Sequence, residues 1–81
     1  MTDSAATPKP RVVPIRTDYI ELAQVLKLGG LVDTGGAAKA VIQAGEVQLN
    51  GAPETQRGKK IRTGDLVTYA GQTILIKQDK R

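Results

Sequence analysis

Four cations within six residues, Arg57, Lys59, Lys60 and Arg62 of the run RGKKIR, form the densest group of ligand-binding side chains in this sequence. Such a run repels itself and becomes favourable only beside an anion. Taken alone it fits two readings, a solvated loop or the electrostatic footprint of a nucleic-acid site. A second group lies upstream in TGGAAKAVIQAGEVQLNG, Thr34 to Gly51. Gly35 and Gly36 would leave the amides of a helix N-terminus bare, so that a phosphate can approach its partial positive charge. The same two glycines would equally suit tight helix packing. Lys39 is either a solvated helix residue or a ligand, and Asn50 either a turn former or a contact.

The chemistry open to these residues is narrow. The chain has no histidine, which removes the commonest general base and metal ligand, and no cysteine, which removes disulfides and thiolate metal sites. No nucleophile with an adjacent base can be assembled. Gly58-Lys59 resembles the end of a phosphate loop, but Pro53 stands at the required first glycine and Lys60 replaces the Ser or Thr. The expectation is a non-catalytic protein with no metal, no cofactor and no small-molecule substrate.

An 81-residue chain holds one small core. Its net charge of +4 is unevenly spread: residues 1 to 18 carry +1, residues 19 to 54 carry −2 and residues 55 to 81 carry +5. Residues 1–10, rich in Thr, Ser and Ala with Pro8 and Pro10, have the composition of a disordered leader. One domain is expected over 11–78, followed by a basic tail at 79–81. No signal-peptide core and no run of some 18 apolar residues is present, so a cytoplasmic, soluble chain without membrane association is expected.

The elements that would position the cations can be read from local signals. RVVPIR, Arg11 to Arg16, is β-branched, but Pro14 cannot donate to a ladder, which restricts it to an edge strand. Asp18 followed by Glu21 resembles a capping box, predicting a first helix over about Tyr19 to Leu28 that Gly29-Gly30 ends. Thr34 is a good N-cap for a second helix, on which Ala38, Val41, Ile42 and Gly45 fall at i, i+3, i+4 and i+7, with Gly45 as the stop. Val47 and Leu49 alternate with Gln48 as in a half-buried strand, and Asn50-Gly51 predicts a tight hairpin turn with a short return strand at Pro53. The basic loop follows, then a Thr63-Gly64-Asp65 turn and two strands, Leu66 to Tyr69 and Thr73 to Lys77, joined through Ala70-Gly71.

The run IELAQVLKLGGLVDTGGAAKAVIQAGEVQLNGAPETQRGKKIRTGD resembles the RNA-binding domain named after small-subunit ribosomal protein S-four, also called the alpha-L motif, and within it the small stand-alone bacterial YbcJ-like branch. The resemblance extends over Tyr19 to about Ile76 and lies in the ordered spacing of its elements. It implies an α+β fold, a two-helix alpha-L motif packed on a small, mostly antiparallel sheet that presents one face to structured RNA. Carried over residue by residue, it implies contacts from Lys27, Thr34, Lys39, Asn50, Arg57, Lys59 and Lys60; the residues themselves add Gly35, Gly36 and Arg62. The wider family usually has Arg and Asp around Glu21 and Ala23, and an arginine where this chain has Gly35. The helical face is thus less basic here, which shifts weight to the loop.

Tyr19 and Tyr69 are the only aromatic residues and form no pattern that would stack successive bases. Phosphate and sugar contacts remain, and these suit folded or double-stranded RNA; the resemblance implies a target of the ribosomal or transfer-RNA class, and a monomer is expected. Two alternatives stay open at this point. A winged helix-turn-helix DNA-binding module would have only Lys39 and Gln43 as outward polar side chains on its recognition helix. A protein-binding adaptor would use the basic loop against an acidic partner.

Overall fold

The computed structural model of the chain describes residues 10–79. The expectations for the leader at residues 1–9 and for the last two residues of the tail lie outside the described residues. Strand β1 (Arg11–Ile15) leads through an irregular segment to a two-residue strand β2 (Ile20–Glu21), then helices α1 (Leu22–Leu28) and α2 (Gly35–Gln43). Five strands complete the order: β3 (Gln48–Leu49), β4 (Ala52–Pro53), β5 (Lys60–Ile61), β6 (Leu66–Tyr69) and β7 (Gln72–Gln78). One sheet runs β1-β7-β6-β3-β4, antiparallel except for the parallel β1–β7 pair, and β2 and β5 form a separate antiparallel ribbon.

The Pro14 argument holds, since β1 is the sheet's outer strand, bonded only to β7. Alternation along β7 buries Ile74 and Ile76, and these meet Val13 and Ile15 of β1, Val67 of β6, Leu22, Val25 and Leu26 of α1, and Ala38 and Ile42 of α2. Among the described residues no charged or polar side chain is buried. The charge on the described residues is therefore surface charge.

Helix α2 forms where its signals place it. Thr34 Oγ1 accepts from the Ala37 amide at 3.0 Å, and Gly45 at φ +77° lets the Gly45 and Glu46 amides turn back to the carbonyls of Ile42 and Val41. The Asn50-Gly51 turn also forms, with both residues at positive φ. Gly29 serves a different end. It is buried at the foot of α1, where a methyl group would collide with Ile74 Cδ1 and stand 3.1 Å from the Val25 carbonyl oxygen.

Helix α1 departs from expectation. It begins at Leu22 instead of Tyr19, and the Asp18–Glu21 capping box does not form. Asp18 instead accepts from Gln78 Nε2, and the Glu21 side chain caps nothing. The cause is tertiary. Ile20 and Glu21 are taken up in antiparallel pairing with Ile61 and Lys60. The free amides of Leu22 and Ala23 then find the carbonyl oxygens of Lys59 and Arg57, at 2.9 and 3.1 Å. These backbone carbonyls satisfy the helix end that a side-chain cap would otherwise serve. The basic segment, expected as a loop, is correspondingly strand at Lys60–Ile61, with Ile61 fully buried. The final strand is also longer than its expected Thr73 to Lys77.

Candidate nucleic-acid interface

The docking of residues 57 to 59 onto the start of α1 decides where the cations go. On α1, Ala23 and Lys27 stand at i and i+4, so they share one face with Gln24. On α2, Gly35 and Gly36 precede Lys39 by four and three residues and share a face in the same way. Arg57, held by its carbonyl bond to the Ala23 amide, closes the third side. Together with Glu21 these residues line an open cleft of about 340 Å³ between α1, α2 and the loop. Lys27, Lys39 and Arg57 against the single carboxylate of Glu21 leave a formal excess of two positive charges.

The glycines at the head of α2 are not required by packing. A methyl at Gly35 would meet no atom of a non-neighbouring residue within 4 Å, and at Gly36 the nearest is Thr34 Oγ1 at 3.9 Å. Glycine in a helix costs about 0.5–1 kcal/mol relative to alanine, and no contact here offsets that. Their effect is to leave the first-turn amides of α2 uncovered beside Lys39, an arrangement suited to a phosphate.

The ten residues expected to contact a ligand fall in two groups, with Lys59 between them and Asn50 apart. Lys27, Gly35, Gly36, Lys39 and Arg57 line the cleft, with the Thr34 hydroxyl at its edge already engaged as the α2 cap. Lys60 and Arg62 lie on the ribbon, with Lys60 Nζ 5.0 Å and Arg62 Cζ 5.9 Å from the centre of the Tyr19 ring. Lys59 is exposed between the two groups. Asn50 stands elsewhere: its Nδ2 donates to Asp65 Oδ1 at 3.1 Å and its Oδ1 accepts from the Leu66 amide at 2.9 Å. Asp65 Oδ2 accepts in turn from the Arg62 amide. The Asn50-Gly51 and Gly64-Asp65 pairs are thus two halves of one lock that ties the β3–β4 hairpin to the turn before β6.

Local reasoning did not anticipate Gln24 as a cleft residue, nor Tyr19 as the partner of two cations, and Glu21 entered the site only through the resemblance. No signal near those positions indicates this, because Tyr19 and Glu21 meet Lys60 and Arg62 only through strand pairing across some 40 residues of chain. Among the described residues no cluster of His, Cys, Asp and Glu comes together to hold a metal ion, and no helix is long and apolar enough to cross a membrane.

Comparison with known proteins bears on this geometry. The chain is 38% identical over 58 residues to YbcJ of Escherichia coli (strain K12), covering 72% of this chain and 83% of that protein. It is 39% identical over 59 residues to the Probable ribosome maturation protein RlbA of Bacillus subtilis (strain 168), covering 73% and 83%. The solution structure of E. coli YbcJ, described as revealing an alfaL motif involved in RNA-binding, superposes with a TM-score of 0.67 at 29% identity. That superposition covers 95% of this chain and 96% of YbcJ, so the two-helix motif on a mostly antiparallel sheet is common to both. The family model described as S4 domain matches residues 13–77, and the chain belongs to that family.

Proposed function

We propose that the protein binds structured RNA, of the ribosomal or transfer-RNA class, mainly through phosphate contacts and without catalysing a reaction. One observation carries this reading: Lys27, Lys39 and Arg57, from three separate segments, converge on one cleft beside the uncovered amides of Gly35 and Gly36. Cations in this arrangement grip a backbone and carry no sequence code, which suits recognition of shape. The alfaL motif of YbcJ supports the RNA assignment, and the ribosome maturation named for RlbA supports a ribosomal target. Residues 11–78 act in this reading as one RNA-binding domain, monomeric and cytoplasmic.

The test is fluorescence anisotropy with a labelled RNA stem-loop between about 50 and 200 mM salt, with duplex DNA of matched length as competitor. Affinity for RNA is expected to fall by orders of magnitude over that range, as release of counterions from several phosphates requires. A salt-independent affinity, or equal competition by duplex DNA, refutes it. Co-sedimentation with ribosomal subunits from lysate, lost on ribonuclease treatment, tests the ribosomal assignment and distinguishes RNA from an acidic protein partner.

A further inference from the structure

The outer face of the β2–β5 ribbon holds a second group that the cleft does not use. Ile20 pairs with Ile61 and Glu21 with Lys60, so alternation turns Ile20 and Ile61 toward the core and leaves Glu21 and Lys60 on the opposite side. Continuing the same register places Tyr19 opposite Arg62 on that outer side. Tyr19 is 42% exposed as a residue, and its ring carries two cations, Lys60 Nζ at 5.0 Å and Arg62 Cζ at 5.9 Å from its centre. Tyr69, by contrast, is packed against the core. The backbone at Tyr19 is held as well, its carbonyl accepting from the Thr17 hydroxyl at 2.6 Å.

We propose that this ribbon face binds one unpaired nucleotide of the RNA, its base stacked on Tyr19 and its phosphates met by Lys60 and Arg62. The proposal rests on the RNA-binding reading above and adds the kind of RNA. A solvent-accessible aromatic ring with two cations beside it matches the two chemistries a nucleotide carries, a flat π surface and an anion. A cation held over an exposed ring is only weakly bound there and is readily exchanged for a base, leaving the charge free for phosphate. Within a duplex both faces of each base are already stacked, so the ring serves only a base that is flipped, bulged or terminal. The two stations are also contiguous. Glu21 lines the cleft and Tyr19 precedes it by two residues on the same strand face, about 7 Å away. An RNA with phosphates in the cleft therefore passes the ring within one or two nucleotides. The ligand implied is an RNA helix flanked by an unpaired base, in place of a continuous duplex. A single tyrosine takes one base, in keeping with the absence of any aromatic series.

The experiment compares two RNA hairpins with the same stem and the same compact tetraloop, its bases stacked within the loop, one with a blunt end and one ending in a single unpaired 2-aminopurine, against the full chain, Tyr19→Phe and Tyr19→Ala. The parent and Tyr19→Phe should bind the flanked hairpin about tenfold more tightly than Tyr19→Ala does, and should quench the 2-aminopurine fluorescence on binding. The blunt hairpin should bind all three proteins within about twofold, which also reports that Tyr19→Ala retains a folded cleft. If Tyr19→Ala binds both hairpins as the parent does, or loses both equally, the stacking proposal is overturned while the RNA-binding reading stands. If the parent binds neither hairpin, both fall. Binding of a polyglutamate peptide in place of RNA, with the same dependence on Tyr19, would overturn the proposal in favour of an acidic protein partner.

Discussion

Removing the three cations of the cleft together, as Lys27→Gln, Lys39→Gln and Arg57→Gln in one chain, should change how RNA affinity responds to salt more clearly than any other perturbation. Each of the three lines the same 340 Å³ cleft, so each is assigned one phosphate. A phosphate contact on a duplex contributes about −0.9 to the slope of log affinity against log salt, so three contribute roughly −2.7. Across a fourfold rise in salt this part of the binding alone weakens by about 40-fold. At physiological salt, at about 1 kcal/mol per solvent-exposed ion pair, the variant should bind on the order of 100-fold more weakly. The assay is anisotropy with the same stem-loop at several salt concentrations, read as a slope as well as an affinity. Lys77→Gln is the control, an exposed cation on β7 in register with Pro14 and outside the cleft lining. It should shift the slope by less than one contact. The fold should survive the triple change, because Arg57 and Lys59 hold α1 through backbone carbonyls that side-chain substitution leaves in place. Surface substitutions usually alter stability by about 0.5 kcal/mol or less. A folded triple variant whose salt slope equals the parent's would refute the reasoning and move the site out of the cleft.

Other perturbations test the remaining elements. Glu21→Gln removes the one carboxylate lining the cleft and should tighten RNA binding several-fold, while lowering stability by roughly 0.3–1 kcal/mol, because an acid at the start of α1 favours its positive end; unchanged affinity in the titration would show that Glu21 does not face the RNA. Gly29→Ala forces a methyl against buried Ile74 and should cost about 1–3 kcal/mol in urea unfolding, with no cost indicating that β7 yields. Asn50→Ala removes two hydrogen bonds and leaves a residue poorly suited to φ +53°, so a loss of about 2 kcal/mol is expected in thermal unfolding. RNA affinity of the folded Asn50→Ala protein should stay within about twofold of the parent, and a tenfold loss would make Asn50 an RNA contact after all.

The parts of this protein legible in its sequence are those governed by near neighbours. Thr34 and Gly45 delimit α2 because a cap and a left-handed stop act within one turn of the helix they bound. Asn50-Gly51 specifies its turn, and Pro14 confines β1 to an edge, for equally local reasons of φ and missing donors. The ordered spacing of these signals also carried the resemblance to the family, and with it the α+β class. What the sequence left open was each choice that depends on residues far apart in the chain. The capping-box spacing at Asp18 and Glu21 was a sound local signal, yet by joining β5 Ile20 and Glu21 gain ladder bonds and Ile20, half-buried, packs beside the fully buried Ile61, and that outweighs one more turn of helix. The same pairing divides RGKKIR: Arg57 goes to the cleft with Lys27 and Lys39, while Lys60 and Arg62 go to Tyr19. Charge clustered along the chain became two separate stations because β alternation and the docking of two carbonyls on α1 set the direction of each side chain. Asn50 shows the converse. The resemblance implied a contact there, whereas in the fold its Nδ2 donates to Asp65, 15 residues away, and its Oδ1 accepts from the Leu66 amide, so both ends of the amide are held in a lock within the fold. Local sequence determined α2, the Asn50-Gly51 turn and the sign of the charge, and only the long-range pairing of β2 with β5 decided which cations lie together.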